Sequence, residues 1–104
     1  MQSRRFPRYA VNRPLKATVY WEDQPIRKLD GRALVVGEGG MGARLTDQLY
    51  LGEVVRLEMP SMPPLFGMVR SMRGTEHGFE FLYSREGQRR AVSALCASVA
   101  AEQP

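Results

Sequence analysis

Apolar and polar residues alternate along much of this chain, with the two-residue period of strands rather than the 3.6-residue period of helices. Leu15, Ala17, Val19 and Trp21 fall on one side of a pleat, and Lys16, Thr18 and Tyr20 on the other. This predicts a strand over 15–21 with one wet face. Trp21 shares its face with Leu15 and Val19 and is expected in the core. A second strand is predicted over 32–36, and Gly37-Glu38-Gly39-Gly40 reads as a turn into a third strand over 41–45. After a connection at 47–52, Val55, Leu57 and Met59 alternate with Arg56 and Glu58 in a strand over 53–59. Pro60, Pro63 and Pro64 end it. Residues 65–72 and 78–82 form a hairpin around Arg73-Gly74-Thr75-Glu76. Six short strands at near-regular spacing predict a small antiparallel sandwich or barrel.

The period changes at the C-terminus. Val92, Leu95, Cys96 and Val99 recur at the spacing of one helical face, predicting a helix over 85–102 that covers an open end of the sheet. Ser84 is the expected N-cap. At the other terminus, residues 1–14 contain Pro7 and Pro14 and little periodicity, and read as an extended arm. The expected organisation is a basic arm at 1–14 and one domain at 15–104: all-β, with one C-terminal helix.

Length and composition fit one small domain with its own core. The single cysteine precludes an internal disulfide, and no apolar run reaches the length of a membrane span. No apolar stretch follows the first arginines, so a signal peptide is not expected and the chain reads as cytoplasmic. The net charge of +4 is unevenly placed. Arg4, Arg5, Arg8 and Arg13 fall in the first 13 positions, which hold no acid, leaving 11 basic residues to face 11 acids. The excess belongs to the arm, which is either a grip for an anionic partner or a solvated basic tail.

Catalytic chemistry is hard to assemble from this sequence. The one histidine, His77, falls at a predicted turn-to-strand junction and reads as a surface or hairpin residue. Cys96, on the apolar helix face, reads as a buried, inert thiol. One His and one Cys cannot supply the usual zinc ligands. No phosphate-binding glycine motif is present. The expectation is a binding module with no enzymatic activity and no cofactor or metal.

Two segments carry binding chemistry. In Arg4-Arg5-Phe6-Pro7-Arg8-Tyr9, two arginines stand four residues apart on a proline-stiffened arm. An arginine fork matches phosphate oxygens and the O6/N7 edge of guanine. In Val36-Gly37-Glu38-Gly39-Gly40-Met41-Gly42, the glycines allow positive φ and close approach of a ligand to the backbone. Alone, that segment also reads as an ordinary hairpin turn.

In this order and spacing, from Arg4 to the terminal helix, the chain resembles the PilZ domains, bacterial receptors of cyclic di-GMP. Gly78-Phe79-Glu80-Phe81 is similar to that family's last strand. The resemblance implies a six-stranded antiparallel barrel with a C-terminal helix. It implies that the R-x-x-x-R arm, here Arg4 and Arg8 with Arg5 assisting, wraps cyclic di-GMP. A D/N-x-S-x-x-G turn forms the opposite wall; in register it falls on Val35, Gly37 and Gly40. Only Gly40 matches: Val35 replaces an acceptor and Gly37 a hydroxyl. The implied ligand is cyclic di-GMP, held by Arg4, Arg5, Arg8, Val35, Gly37 and Gly40, with the signal passed to an unidentified protein effector. The alternatives are an adaptor that binds a protein without ligand, and non-specific nucleic-acid binding by the arm. The charge balance beyond the arm argues against the last, and membrane insertion is not expected.

Overall fold

A computed structural model of the chain describes residues 7–104. Six strands close into one antiparallel barrel in the order β1-β2-β3-β6-β5-β4, followed by one helix. β1 is Arg8–Trp21, β2 Gln24–Gly37, β3 Gly40–Leu45, β4 Val54–Glu58, β5 Leu65–Arg73, β6 Glu76–Phe81 and α1 Gln88–Ala101. The predicted fold class is the observed one. Among the described residues no helix is long and apolar enough to cross a membrane.

The inward positions follow the two-residue period. Leu15, Ala17 and Val19 of β1, Val55 and Leu57 of β4, and Phe79 and Phe81 of β6 are buried in one core. Val92, Leu95 and Val99 of α1 join that core, and Leu95 and Val99 are wholly buried. Burying each such side chain contributes roughly 1.5–3 kcal/mol. Gln88 ties the start of α1 to β5, its Oε1 accepting from the Phe66 N–H at 2.9 Å. At the far end, Arg13 of β1 donates to Ser98 Oγ at 3.0 Å and pairs with Glu102 at 2.8 Å.

The structure departs from the sequence pattern in several places. β1 begins at Arg8 rather than at residue 15, because Tyr9 and Val11 also face inward and pack against the core. Pro14 is accommodated because β1 has β4 as a second neighbour only over Lys16–Val19. β2 begins at Gln24, since it pairs along almost the whole of β1. α1 starts at Gln88 after Gly87, whose φ of 78° suits glycine; no side chain caps it, so Ser84 does not serve. Trp21 is 67% exposed, not in the core. A register shift between Val19 and Tyr20 changes the inside-outside order, and Trp21 lies past the last β1–β4 pair, Val19 with Val55.

His77 is the sharpest correction: it is buried, not a surface residue. Its Nε2 accepts from the Leu49 N–H at 3.0 Å, while Nδ1 lies 2.8 Å from the Thr75 carbonyl. Nδ1 therefore carries the proton and donates to Thr75, and the neutral ring pins the 46–53 connection to β6. Cys96 is half-buried rather than fully buried, and burial, with the Glu38 charge adding, pushes its thiol above the ordinary range. That favours the unreactive thiol form.

Two substitutions test this packing by urea denaturation. Leu95→Asp puts an unpaired carboxylate into the core and should cost about 4 kcal/mol or more. His77→Ala strands the Leu49 N–H and opens a void, and should cost about 2–4 kcal/mol. Parent-like midpoints would show that α1 and the 46–53 connection are not held as described.

Candidate functional site

β1 and β2 pair so that Arg8 lies opposite Gly37, Tyr9 opposite Val36 and Ala10 opposite Val35. The pleat then sorts these residues by face. Tyr9 and Val36 point toward the core, with Met41, Phe79 and Val69 continuing the row across β3, β6 and β5. Arg8, Ala10, Val35 and Gly37 therefore share the outer face. Gly40 and Gly42 follow on the outer face of β3, paired with Glu80 and Gly78 of β6.

Four of the sequence-predicted site residues, Arg8, Val35, Gly37 and Gly40, thus meet on one outer face at one end of the barrel. Arg4 and Arg5 lie outside the described residues. Arg8 is exposed, and among the described residues it forms no ion pair. Val35 is half-buried and faces away from the core, so its methyls stand where an acceptor would face the arm.

The glycines are required for a different reason from the one the sequence suggests. None of those in the 37–42 segment has positive φ. Gly37, Gly40 and Gly42 permit close approach of neighbouring chain, whereas a Cβ on Gly39 would meet nothing within 4 Å. A Cβ on Gly40 would stand 2.0 Å from the Phe79 carbonyl oxygen, an impossible contact. A Cβ on Gly37 would meet the Pro7 carbonyl oxygen at 3.2 Å and Arg8 Cγ at 3.3 Å. The connection between β2 and β3 is therefore short, Glu38-Gly39, with Gly37 and Gly40 as strand ends.

Sequence reasoning missed what extends from Val35. Val35, Gly42, Gly78 and Ser71 are successive register partners across four strands. The row floors a cleft of about 410 Å³, walled by residues that include Met72, Arg73 and Glu76. A Cβ on Gly42 would press Val35 Cγ1 at 2.7 Å, so the floor is kept low by the absent side chain. The available signal was glycine inside strands, which marks close approach. At the rim, Arg44 bonds to Glu76 at 2.8 Å and holds its carboxyl below the ordinary carboxylate range.

A second tie joins the turn to the helix. Tyr83 Oη donates to the Glu38 carbonyl, and the Arg89 guanidinium lies 5.1 Å from the Tyr83 ring centre. Burial, with the Glu38 carboxylate adding, raises the Tyr83 hydroxyl above its usual value, which keeps it a donor. Among the described residues no group of three His, Cys, Asp or Glu is placed to hold a metal ion.

The surface therefore offers an arginine beside a low, mostly uncharged floor. That combination can pair a guanidinium with phosphate or a base edge while a planar group rests on small residues. Because Val35 faces outward, Val35→Asp should shift stability by no more than about 1 kcal/mol. Gly37→Ser should cost about 1–2 kcal/mol, because its Cβ must displace Pro7. Thermal melts of the two single variants check this, and unfolding by Val35→Asp would show that residue 35 faces the core.

The family model for the PilZ domain matches residues 2–98. No curated protein matches the sequence. Among solved structures, one described as the PilZ domain with c-di-GMP of YcgR from Escherichia coli is similar, with a TM-score of 0.73 and 20% identity. The match covers 97% of this chain and 94% of that one.

Proposed function

Since the chain belongs to the PilZ domain family, we propose that it is a non-enzymatic cyclic di-GMP receptor module of the cytoplasm that signals to a protein partner. The observation that carries this reading is the register of β1 on β2. It sets Arg8 opposite Gly37 and leaves Val35 and Gly40 on the same outer face. An arm gripping a dinucleotide from one side would bring it against this face. The similar E. coli domain is described with c-di-GMP.

In this proposal Arg4 and Arg8 take phosphate oxygens and guanine edges through bidentate bonds, and Arg5 assists. Gly37 and Gly40, packed against Pro7 and the Phe79 carbonyl, form the wall opposite the arm. Arm and bound ligand together present a new surface to the partner, and that surface is the output. Val35 and Gly37 supply no side-chain acceptor. Two missing bonds at about 0.5–1.5 kcal/mol each weaken affinity roughly ten- to a hundred-fold against a fully polar site.

The apolar Val35 favours one other reading: an adaptor that binds its partner without ligand, its arm surviving as a vestige. Calorimetric titration with cyclic di-GMP separates the two. Micromolar or tighter binding supports the receptor, and no heat at high concentration supports the adaptor.

Arg4→Ala and Arg8→Ala should each weaken binding at least about tenfold, the loss of one charge-assisted pair, with melting temperature unchanged. Parent-like affinity in both would remove the arm from the site. The double variant Val35→Asp with Gly37→Ser should bind more tightly than the parent, because both new groups face the arginine arm. A folded double variant with no gain would overturn the assignment of Val35 and Gly37 to the ligand wall and favour the adaptor.

A further inference from the structure

The floor of Val35, Gly42, Gly78 and Ser71 has an arginine beyond each end. Ala10 continues the row onto β1, where Arg8 is the next outer residue. At the opposite end Ser71 is followed on the outer face of β5 by Arg73, which lines the cleft. From Val35 to Ser71 the floor crosses three strand-to-strand steps, roughly 14 Å at ~4.8 Å per step. That is longer than one purine and suits a ligand whose two planar groups stand far apart.

The strands that bound the floor are irregular. β2 carries a register shift between Ala33 and Val35, and β5 one between Val69 and Ser71. Such shifts re-aim the side chains that follow. On β5 Val69 faces the core, so strict alternation would turn Ser71 and Arg73 inward as well. The extra residue at Arg70 reverses this. Ser71 pairs with Gly78 on the outer face, and Arg73 pairs with Glu76 there.

Arg73 is also the uncommitted charge of the cleft. Among the described residues that line it, the titratable ones are Arg73, Glu76 and His77. His77 is neutral, with both ring nitrogens bonded. Glu76, although the register partner of Arg73, has its carboxylate on Arg44. Around the cleft, Arg32 is bonded to Asn12 and Arg70 to Glu80. Beside the hairpin that follows Arg73, Asp47 is paired with Arg27, and Glu53 accepts from the Tyr50 N–H. Glu38 belongs to the β2–β3 turn, at the Arg8 end. Arg73 itself is exposed and among the described residues forms no ion pair. A guanidinium so placed can bond through its fork to the O6/N7 edge of a guanine resting on the floor. Adenine puts an N6 donor where guanine has the O6 acceptor, and an arginine has no acceptor to meet it.

We propose that Arg73 reads the second base of a cyclic dinucleotide whose first nucleotide is held by the arm, and that it selects guanine over adenine there. This deepens the proposed function and rests on cyclic di-GMP being the ligand.

Calorimetric titrations with cyclic di-GMP and with the mixed cyclic dinucleotide of one guanine and one adenine test the role. The parent should bind cyclic di-GMP roughly tenfold more tightly than the mixed ligand, the difference made by one bidentate base contact. Arg73→Ala should weaken cyclic di-GMP about tenfold, leave the mixed ligand nearly unchanged and melt like the parent. Arg73→Lys keeps the charge but lacks the fork, and should lose the discrimination as fully as alanine does. Arg90→Ala, which removes one cation from α1, should keep both affinities. A parent that binds both ligands equally, a preference that persists in Arg73→Ala, or equal weakening of both ligands would overturn the proposal and leave the receptor reading intact. A lysine variant that keeps the preference would also overturn it, because a point charge would then suffice. A parent that gives no heat with cyclic di-GMP removes the receptor reading and this role with it.

Discussion

The closing contact of the barrel is short, and most of the structure depends on it. β1 meets β4 over four register pairs, from Lys16–Glu58 to Val19–Val55. Without them the sheet would be an open ribbon with two bare edges and half-covered apolar faces. With them, Ala17, Val19, Val55 and Leu57 become inward and almost wholly buried, and α1 needs only to cover what the strands leave open. Closure also fixes register, since a slip by one residue anywhere would turn a row of apolar side chains to water.

That fixed register makes the outer face a surface of defined composition. The row Tyr9, Val36, Met41, Phe79 and Val69 is required inside. The neighbouring row Ala10, Val35, Gly42, Gly78 and Ser71 is therefore required outside. The core thus positions Arg8 opposite Gly37 without any side-chain interaction devoted to that purpose. A site assembled in this way tolerates loss of its polar groups, because none of them holds the barrel together.

The sequence made the barrel legible where side chains alternate cleanly, as over Leu15, Ala17 and Val19, and where turns are marked by Gly74 or the prolines after Met59. It was less legible where tertiary contacts override local pattern. β1 from Arg8 to Pro14 carries Arg13 on an inward position, which looks like arm until Ser98 and Glu102 are there to receive it. Trp21 was misplaced because a register shift at Val19 cannot be read from one strand. His77 was misplaced because its partner, the Leu49 N–H, comes from a distant connection. At the candidate site, residue types and order were visible from spacing. The floor of Gly42, Gly78 and Ser71 was not, because it exists only once β6 lies between β3 and β5.

The structure also separates residues that the fold demands from residues that it does not. Gly40 cannot carry a side chain, because the Phe79 carbonyl oxygen occupies the space. Its agreement with the family turn follows from strand packing and says nothing about a ligand. Val35 and Gly37 are under weaker constraint: one faces outward, and the other would require only a small shift of Pro7. An acceptor at 35 or a hydroxyl at 37 can therefore be absent without disturbing the packing of the barrel. Arg8 is exposed, and its backbone alone makes the strand pairing, so an alanine would serve the fold as well. The weight of a ligand-binding reading consequently falls on the arginine arm, whose spacing the barrel does not require, and not on the glycine turn, which the barrel would keep for its own packing.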